Sequence, residues 1–125
     1  MGISNTGFFA TAVGIGYTTG AGGAVTQLTN KSTGVTLNKL CGAITMHNAA
    51  LAAAAEVSFT VTNNTVAAED VPVIAIKSGA VAGTYLIGVT AVAAGSFRIT
   101  ISNVSTGSLS QSLVLNFAVI KSVAL

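Results

Sequence analysis

Cys41 and His47 are the one cysteine and the one histidine in this chain of 125 residues. A thiol and an imidazole are the pair of types that could supply a nucleophile and its base. A reactive thiolate needs an electropositive setting. Cys41 instead lies in Leu40-Cys41-Gly42-Ala43-Ile44, the setting of an inert, buried small hydrophobe. A lone cysteine also excludes an intramolecular disulfide. Carboxylates are as sparse: Glu56, and the pair Glu69-Asp70 just before Pro72. Acid–base catalysis takes two carboxylates flanking a substrate, and a metal takes several converging ligands. Glu69-Asp70 reads as a solvated loop and Glu56 as a strand-edge charge. No catalytic, cofactor-binding or metal-ligating residue is assigned, no cofactor is expected, and the chain is expected not to be an enzyme.

Three further motifs dissolve on inspection. Asn30-Lys31-Ser32, Asn63-Asn64-Thr65 and Asn103-Val104-Ser105 match the glycosylation sequon. In a chain rich in Asn, Ser and Thr such matches are expected from composition. Residues 19–23 are glycine-rich, but no Gly-Lys-Ser/Thr follows, so they form no phosphate loop. Met1-Gly2-Ile3-Ser4-Asn5-Thr6 fits the short myristoylation pattern, one readily matched by chance.

The elements that would have to position any site are unusual in their charge. Charged residues make up 6% of the chain and apolar ones 51%, against about 25% charged in an average soluble domain. Such a chain either enters a membrane or hides much of its surface against other protein. The strongest candidate for a span, the uncharged stretch of residues 78–97, is broken by Gly79, Gly83, Gly88 and Gly95, with Thr84 and Thr90 between them. It reads as strand, turn and strand, and the amino terminus lacks the basic and apolar regions of a secretory signal. No membrane partner is expected. The net charge of +2 comes from scattered Lys31, Lys39, Lys77, Arg98 and Lys121. They make no stripe for a phosphate backbone, so no nucleic acid is expected either.

Period-two alternation runs through most of the chain. Val57, Phe59 and Val61 face one way and Ser58, Thr60 and Thr62 the other, as in a half-buried strand. Phe97 to Ser102 alternates strictly. Leu113, Leu115, Phe117 and Val119 oppose Val114, Asn116, Ala118 and Ile120. In residues 83–92, Tyr85, Ile87, Val89 and Ala91 share one face, and both faces are apolar enough to predict a strand covered on both sides. Residues 48–56, with their alanines, predict a short connection. About eight strands with turns between them predict an all-β, single-domain antiparallel sandwich, jelly-roll-like, over residues 24–125. Residues 1–23 are too glycine-rich for a helix and too apolar for a disordered tail. They predict an extended arm that orders against a neighbour. Its Phe8, Phe9, Ile15 and Tyr17 are the candidate interface residues, with Arg98, which stands mid-strand opposite Phe97, Ile99 and Ile101.

Two stretches carry a resemblance. One is Thr26-Gln27-Leu28-Thr29-Asn30-Lys31-Ser32-Thr33-Gly34-Val35-Thr36-Leu37-Asn38-Lys39, continuing through Gly42-Ala43-Ile44-Thr45-Met46-His47-Asn48-Ala49-Ala50-Leu51. The other is Ala91-Val92-Ala93-Ala94-Gly95-Ser96-Phe97-Arg98-Ile99, continuing to Leu115-Asn116-Phe117-Ala118-Val119-Ile120-Lys121. They resemble a family of small virion proteins of tailed bacteriophages and prophages. The resemblance implies a protein made in the bacterial host cytoplasm and built into the virion. It further implies a head decoration or cement protein on the capsid surface, a homotrimer bound to the major capsid protein and stabilising the shell. A tail-fibre or head-fibre host-recognition module and a tail or connector component are the alternatives. The absence of tryptophan, with tyrosine only at positions 17 and 85, speaks against a sugar site.

Overall fold

A computed structural model describes residues 12–124. Eight strands, with no helix among the described residues, form two four-stranded sheets packed face to face. The strands are β1 (Gly22–Thr26), β2 (Val35–Thr36), β3 (Cys41–Thr45), β4 (Glu56–Thr62), β5 (Val71–Ser78), β6 (Tyr85–Ala93), β7 (Ser96–Asn103) and β8 (Val114–Ile120). Sheet I has the order β1-β3-β8-β5 and sheet II the order β2-β4-β7-β6. Only β6 and β7 form a hairpin within one sheet; every other connection crosses to the opposite sheet.

The expected β-sandwich is present, but its sheets are mixed. β1 pairs with β3 and β2 pairs with β4 in parallel. Parallel neighbours need a long crossover, which residues 27–40 and 37–55 supply by passing through the other sheet. The remaining pairs are antiparallel: β3 with β8 and β8 with β5, β4 with β7 and β7 with β6. This is the nesting of a rolled ribbon, as in a jelly roll with parallel strands added at its head. The predicted arm ends slightly early, because Gly22 and Gly23 already pair with Cys41 and Gly42.

The alternation read in the sequence builds the core. Phe59, Val61, Phe97, Ile99 and Ile101 point inward from sheet II, and Ile44, Leu115, Phe117 and Val119 from sheet I. The Phe97 and Phe117 rings meet across the sandwich with centroids 5.5 Å apart, tilted by 60°. Strand β6 departs from the prediction. A bulge at Thr90 shifts its register between Val89 and Ala91. One extra residue flips every side chain beyond it, so Val92 packs on the core and Ala91 is exposed. Nor is β6 covered on both sides, for it is an edge strand with Leu86 64% exposed. Residues 48–56 form no helix. Leu51 is instead buried and bridges Leu109 by two backbone hydrogen bonds of 2.7 and 3.0 Å. Nine residues cannot offset the cost of helix nucleation without packing support, and the core claims the leucine.

The three sequon-like triplets have a common structural use. In each, the Asn Oδ1 accepts the backbone N–H of the residue two positions on: 2.9 Å at Asn30, 3.0 Å at Asn63 and 2.9 Å at Asn103. The hydroxyl of that same Ser or Thr donates to the same oxygen, at 2.6, 2.8 and 2.7 Å. These are Asx turns, and the hydroxyl at the third position explains the triplet. Asn63 and Asn103 are also buried, so their amides fasten loops. Asn63 donates to the Lys39 carbonyl at 2.7 Å, and Asn103 to the Leu51 and Gly107 carbonyls at 2.9 Å each. Asn103→Ala is expected to destabilise the fold by about 2–3 kcal/mol, because buried carbonyls lose their donor. Exposed Asn30→Ala is expected to cost less than about 1 kcal/mol. Chemical denaturation of both variants checks the difference, and equal losses would refute the assignment.

Candidate interaction surfaces

Cys41 and His47 lie apart in the fold. Cys41 opens β3 and His47 follows its far end, on the order of 20 Å away along an extended chain. The His47 Nδ1 accepts the Ala49 N–H at 3.0 Å. Among the described residues no three His, Cys, Asp or Glu side chains group as metal ligands. No helix there is long and apolar enough to cross a membrane.

Two charged residues sit where their sequence context did not point. Lys31, read as part of a turn, is 3% exposed. Its ammonium donates to the carbonyls of His47 and Gln111, the latter at 2.7 Å. Burial lowers its pKa from the ordinary value. Gln27 closes the same corner, donating to the Lys31 and Thr33 carbonyls and accepting the His47 N–H. This cation is spent on holding three connections together. Asp70, expected in a solvated loop, is buried, whereas Glu69 is exposed. The carboxyl of Asp70 accepts the Ala67 N–H at 2.8 Å and pairs with Lys121, the one ion pair among the described residues. The Ala67 amide and then the Lys121 ammonium hold its pKa below the usual carboxylate value.

What remains exposed and organised is the outside of each sheet. On sheet I the outward positions are Gly22, Ala24 and Thr26 of β1, then Cys41, Ala43 and Thr45 of β3. They continue with Val114, Asn116, Ala118 and Ile120 of β8 and Val71, Val73 and Ala75 of β5. None is charged. Val71, Val73 and Ile120 are each about half exposed, at 54, 47 and 54%. Lysines lie only at the ends of these strands: Lys39 and Lys121 at one end, Lys77 at the other. An apolar centre with a polar rim is the anatomy of a protein interface.

Sheet II is different. Ser58, Thr60 and Thr62 of β4 lie beside Ser96, Arg98, Thr100 and Ser102 of β7. A chain of hydrogen bonds crosses three strands. The Ser58 and Thr100 hydroxyls are 2.7 Å apart, those of Thr100 and Thr90 2.8 Å, and Arg98 Nε donates to Thr90 Oγ1 at 2.8 Å. The bulge at Thr90 places its hydroxyl between the other two partners.

The predicted interface residues therefore divide. Tyr17 reaches sheet I, where its hydroxyl donates to the Val119 carbonyl, and Ile15 flanks the same end of β8. Arg98 is on the opposite face, bound to Thr90 within its own chain. Phe8 and Phe9 lie outside the described residues. Comparison of the chain with protein-family models, curated proteins and solved structures found no match.

Asp70 gives a pH prediction with a definite sign. Its folded pKa is depressed, so the unfolded chain binds the proton more readily. The stability it contributes is present above the unfolded value near 3.9 and is lost as pH falls through the folded pKa. Asp70→Asn should flatten the loss of melting temperature on acidification in that range. Arg98→Ala, by contrast, should change stability by less than about 0.5 kcal/mol. Melting curves across pH 2–7 check both, and an unchanged acid limb in Asp70→Asn would contradict the first.

Proposed function

We propose that this chain is a structural subunit of a tailed-bacteriophage virion. In this role it is a head decoration protein that acts as a homotrimer, binds the major capsid protein and stabilises the shell. The observation that carries the proposal is the uncharged outer face of sheet I, which continues across all four strands. The resemblance of residues 26–51 and 91–121 to phage virion proteins supplies the setting.

Size refines the picture. Four strands about 4.8 Å apart and five residues of about 3.3 Å each make a face of roughly 300 Å². One contact of that size buries roughly 600 Å² in total, half or less of what a stable protein pair needs. A subunit held this way gains its affinity from several symmetric copies binding at once. Decoration of a capsid supplies such multiplicity. The matching capsid surface would be apolar at its centre, with carboxylates opposite Lys39 and Lys77.

The test mixes purified protein with undecorated shells of the parent phage and separates them by sedimentation. The protein should sediment with the shells and raise the temperature at which they break. Val73→Glu, on an exposed position of β5, should abolish binding with an unchanged β-sheet spectrum. Absence of binding by the unaltered protein, or full binding by Val73→Glu, would count against the proposal.

The hydroxyl row of sheet II, with Arg98 among it, favours a second reading as a host-recognition module for acidic glycans. Binding to acidic glycans that is lost in Arg98→Ala would select that role.

A further inference from the structure

We propose that the outer face of sheet II docks on the same face of a second copy, in a weak twofold pair joined by Arg98 and Glu56. Register, charge and shape on this face each fit that occupant.

The pairing of β4, β7 and β6 lays the face out in three rows that cross the strands. Glu56, Ser102 and Leu86 form one row, Ser58, Thr100 and Gly88 the next, and Thr60, Arg98 and Ala91 the third. Rows two residues apart lie about 6.6 Å from each other. A twofold axis lying in the face along the middle row exchanges the outer two. Glu56 of each copy then sits over Thr60 and beside Arg98 of the other, and Leu86 sits over Ala91. A residue on such an axis meets its own copy, which a charge could not do without repulsion. The middle row holds a glycine and two hydroxyls, and a hydroxyl both donates and accepts.

The two charges are available for this contact. Within one copy they stand about 13 Å apart along the strands, and the ion pair among the described residues uses neither. Arg98 is moreover turned toward β6 and away from β4. Its Nε donates to Thr90 Oγ1 at 2.8 Å and its Nη2 to the Thr90 carbonyl at 3.2 Å. These bonds hold the guanidinium against the sheet and leave its Nη1 for a carboxylate. Shape agrees with charge. Exposed Leu86 is the large apolar side chain in these rows. The twofold axis brings it to a shallow groove of about 160 Å³, bordered by Thr60, Ala91, Ala93, Ser96 and Arg98.

Three strands about 4.8 Å apart and eight residues long give each copy roughly 380 Å² and the pair roughly 760 Å². That is the size of a weak, reversible encounter, which forms in concentrated protein and parts on dilution. An acidic glycan would use Arg98 but leave Glu56 and Leu86 without a role. The pair leaves sheet I free and stands apart from the virion reading.

Sedimentation equilibrium of the full chain tests it, with no shells present. The mass should double from its dilute value as concentration rises. Arg98→Glu alone and Glu56→Arg alone should each lower the association constant by about tenfold or more, because like charges then face each other. Their circular dichroism should be unchanged. An equimolar mixture of the two variants should associate again, since each supplies the charge the other lacks, and so should the R98E/E56R double variant. High salt should weaken every one of these associations. A mass that never doubles, single variants that associate like the unaltered chain, or a mixture that stays apart would overturn the proposal.

Discussion

Nearly every connection in this sandwich passes from one sheet to the other, and each passage leaves backbone N–H and C=O groups near the core, where they must find partners. The chain meets that constraint with few charges. Neutral side chains do most of it: Asn63 and Asn103 reach across to distant carbonyls, and Gln27 binds two carbonyls and one amide. Lys31 is a buried cation used in the same manner, against carbonyls and not against a carboxylate. No buried side-chain nitrogen or oxygen among the described residues lacks a partner.

Fastening the loops from within leaves the outer surfaces free to be specialised. Sheet I carries small and apolar residues to its outside, and sheet II carries hydroxyls. The difference follows from the strands themselves. In β4 and β7 the positions between core residues are Ser, Thr and Arg, whereas in β5 and β8 they are Val, Ala, Asn and Ile. An exposed, uncharged sheet face normally invites edge and face aggregation. Two lysines flank one end of sheet I and a third sits at the β5 bulge, which limits such contact at its margins but not at its centre.

The inward half of the fold was legible because burial imposes a period of two. Strand β4 has the predicted bounds, and β7 and β8 face as their alternation says. What escaped has local causes. The bulge at Thr90 adds one residue inside an otherwise apolar run, two positions after Gly88, so Ala91 and Val92 exchanged faces. β2 has only two residues and takes its place through pairing with β4, a contact far away in sequence. Asp70 and Lys31 look like loop charges because their partners, Lys121, His47 and Gln111, are brought near only by the tertiary fold. The Asn-x-Ser/Thr triplets were visible, but their use as turns depends on a hydroxyl folding back onto the amide oxygen, which composition alone does not convey. Of the interface candidates, Ile15 and Tyr17 lie against sheet I, Arg98 stands on sheet II, and Phe8 and Phe9 lie outside the described residues.

The scarcity of charge therefore has two separate consequences. Inside, it is answered by amide hydrogen bonds, which are neutral and need no counter-ion in a low-dielectric core. Outside, it concentrates on one face, and there no amide can answer it, because the deficit is of solvated surface and not of hydrogen bonds. Only another apolar surface relieves that face. Ile15 and Tyr17 already lie against it, beside the exposed Ile120.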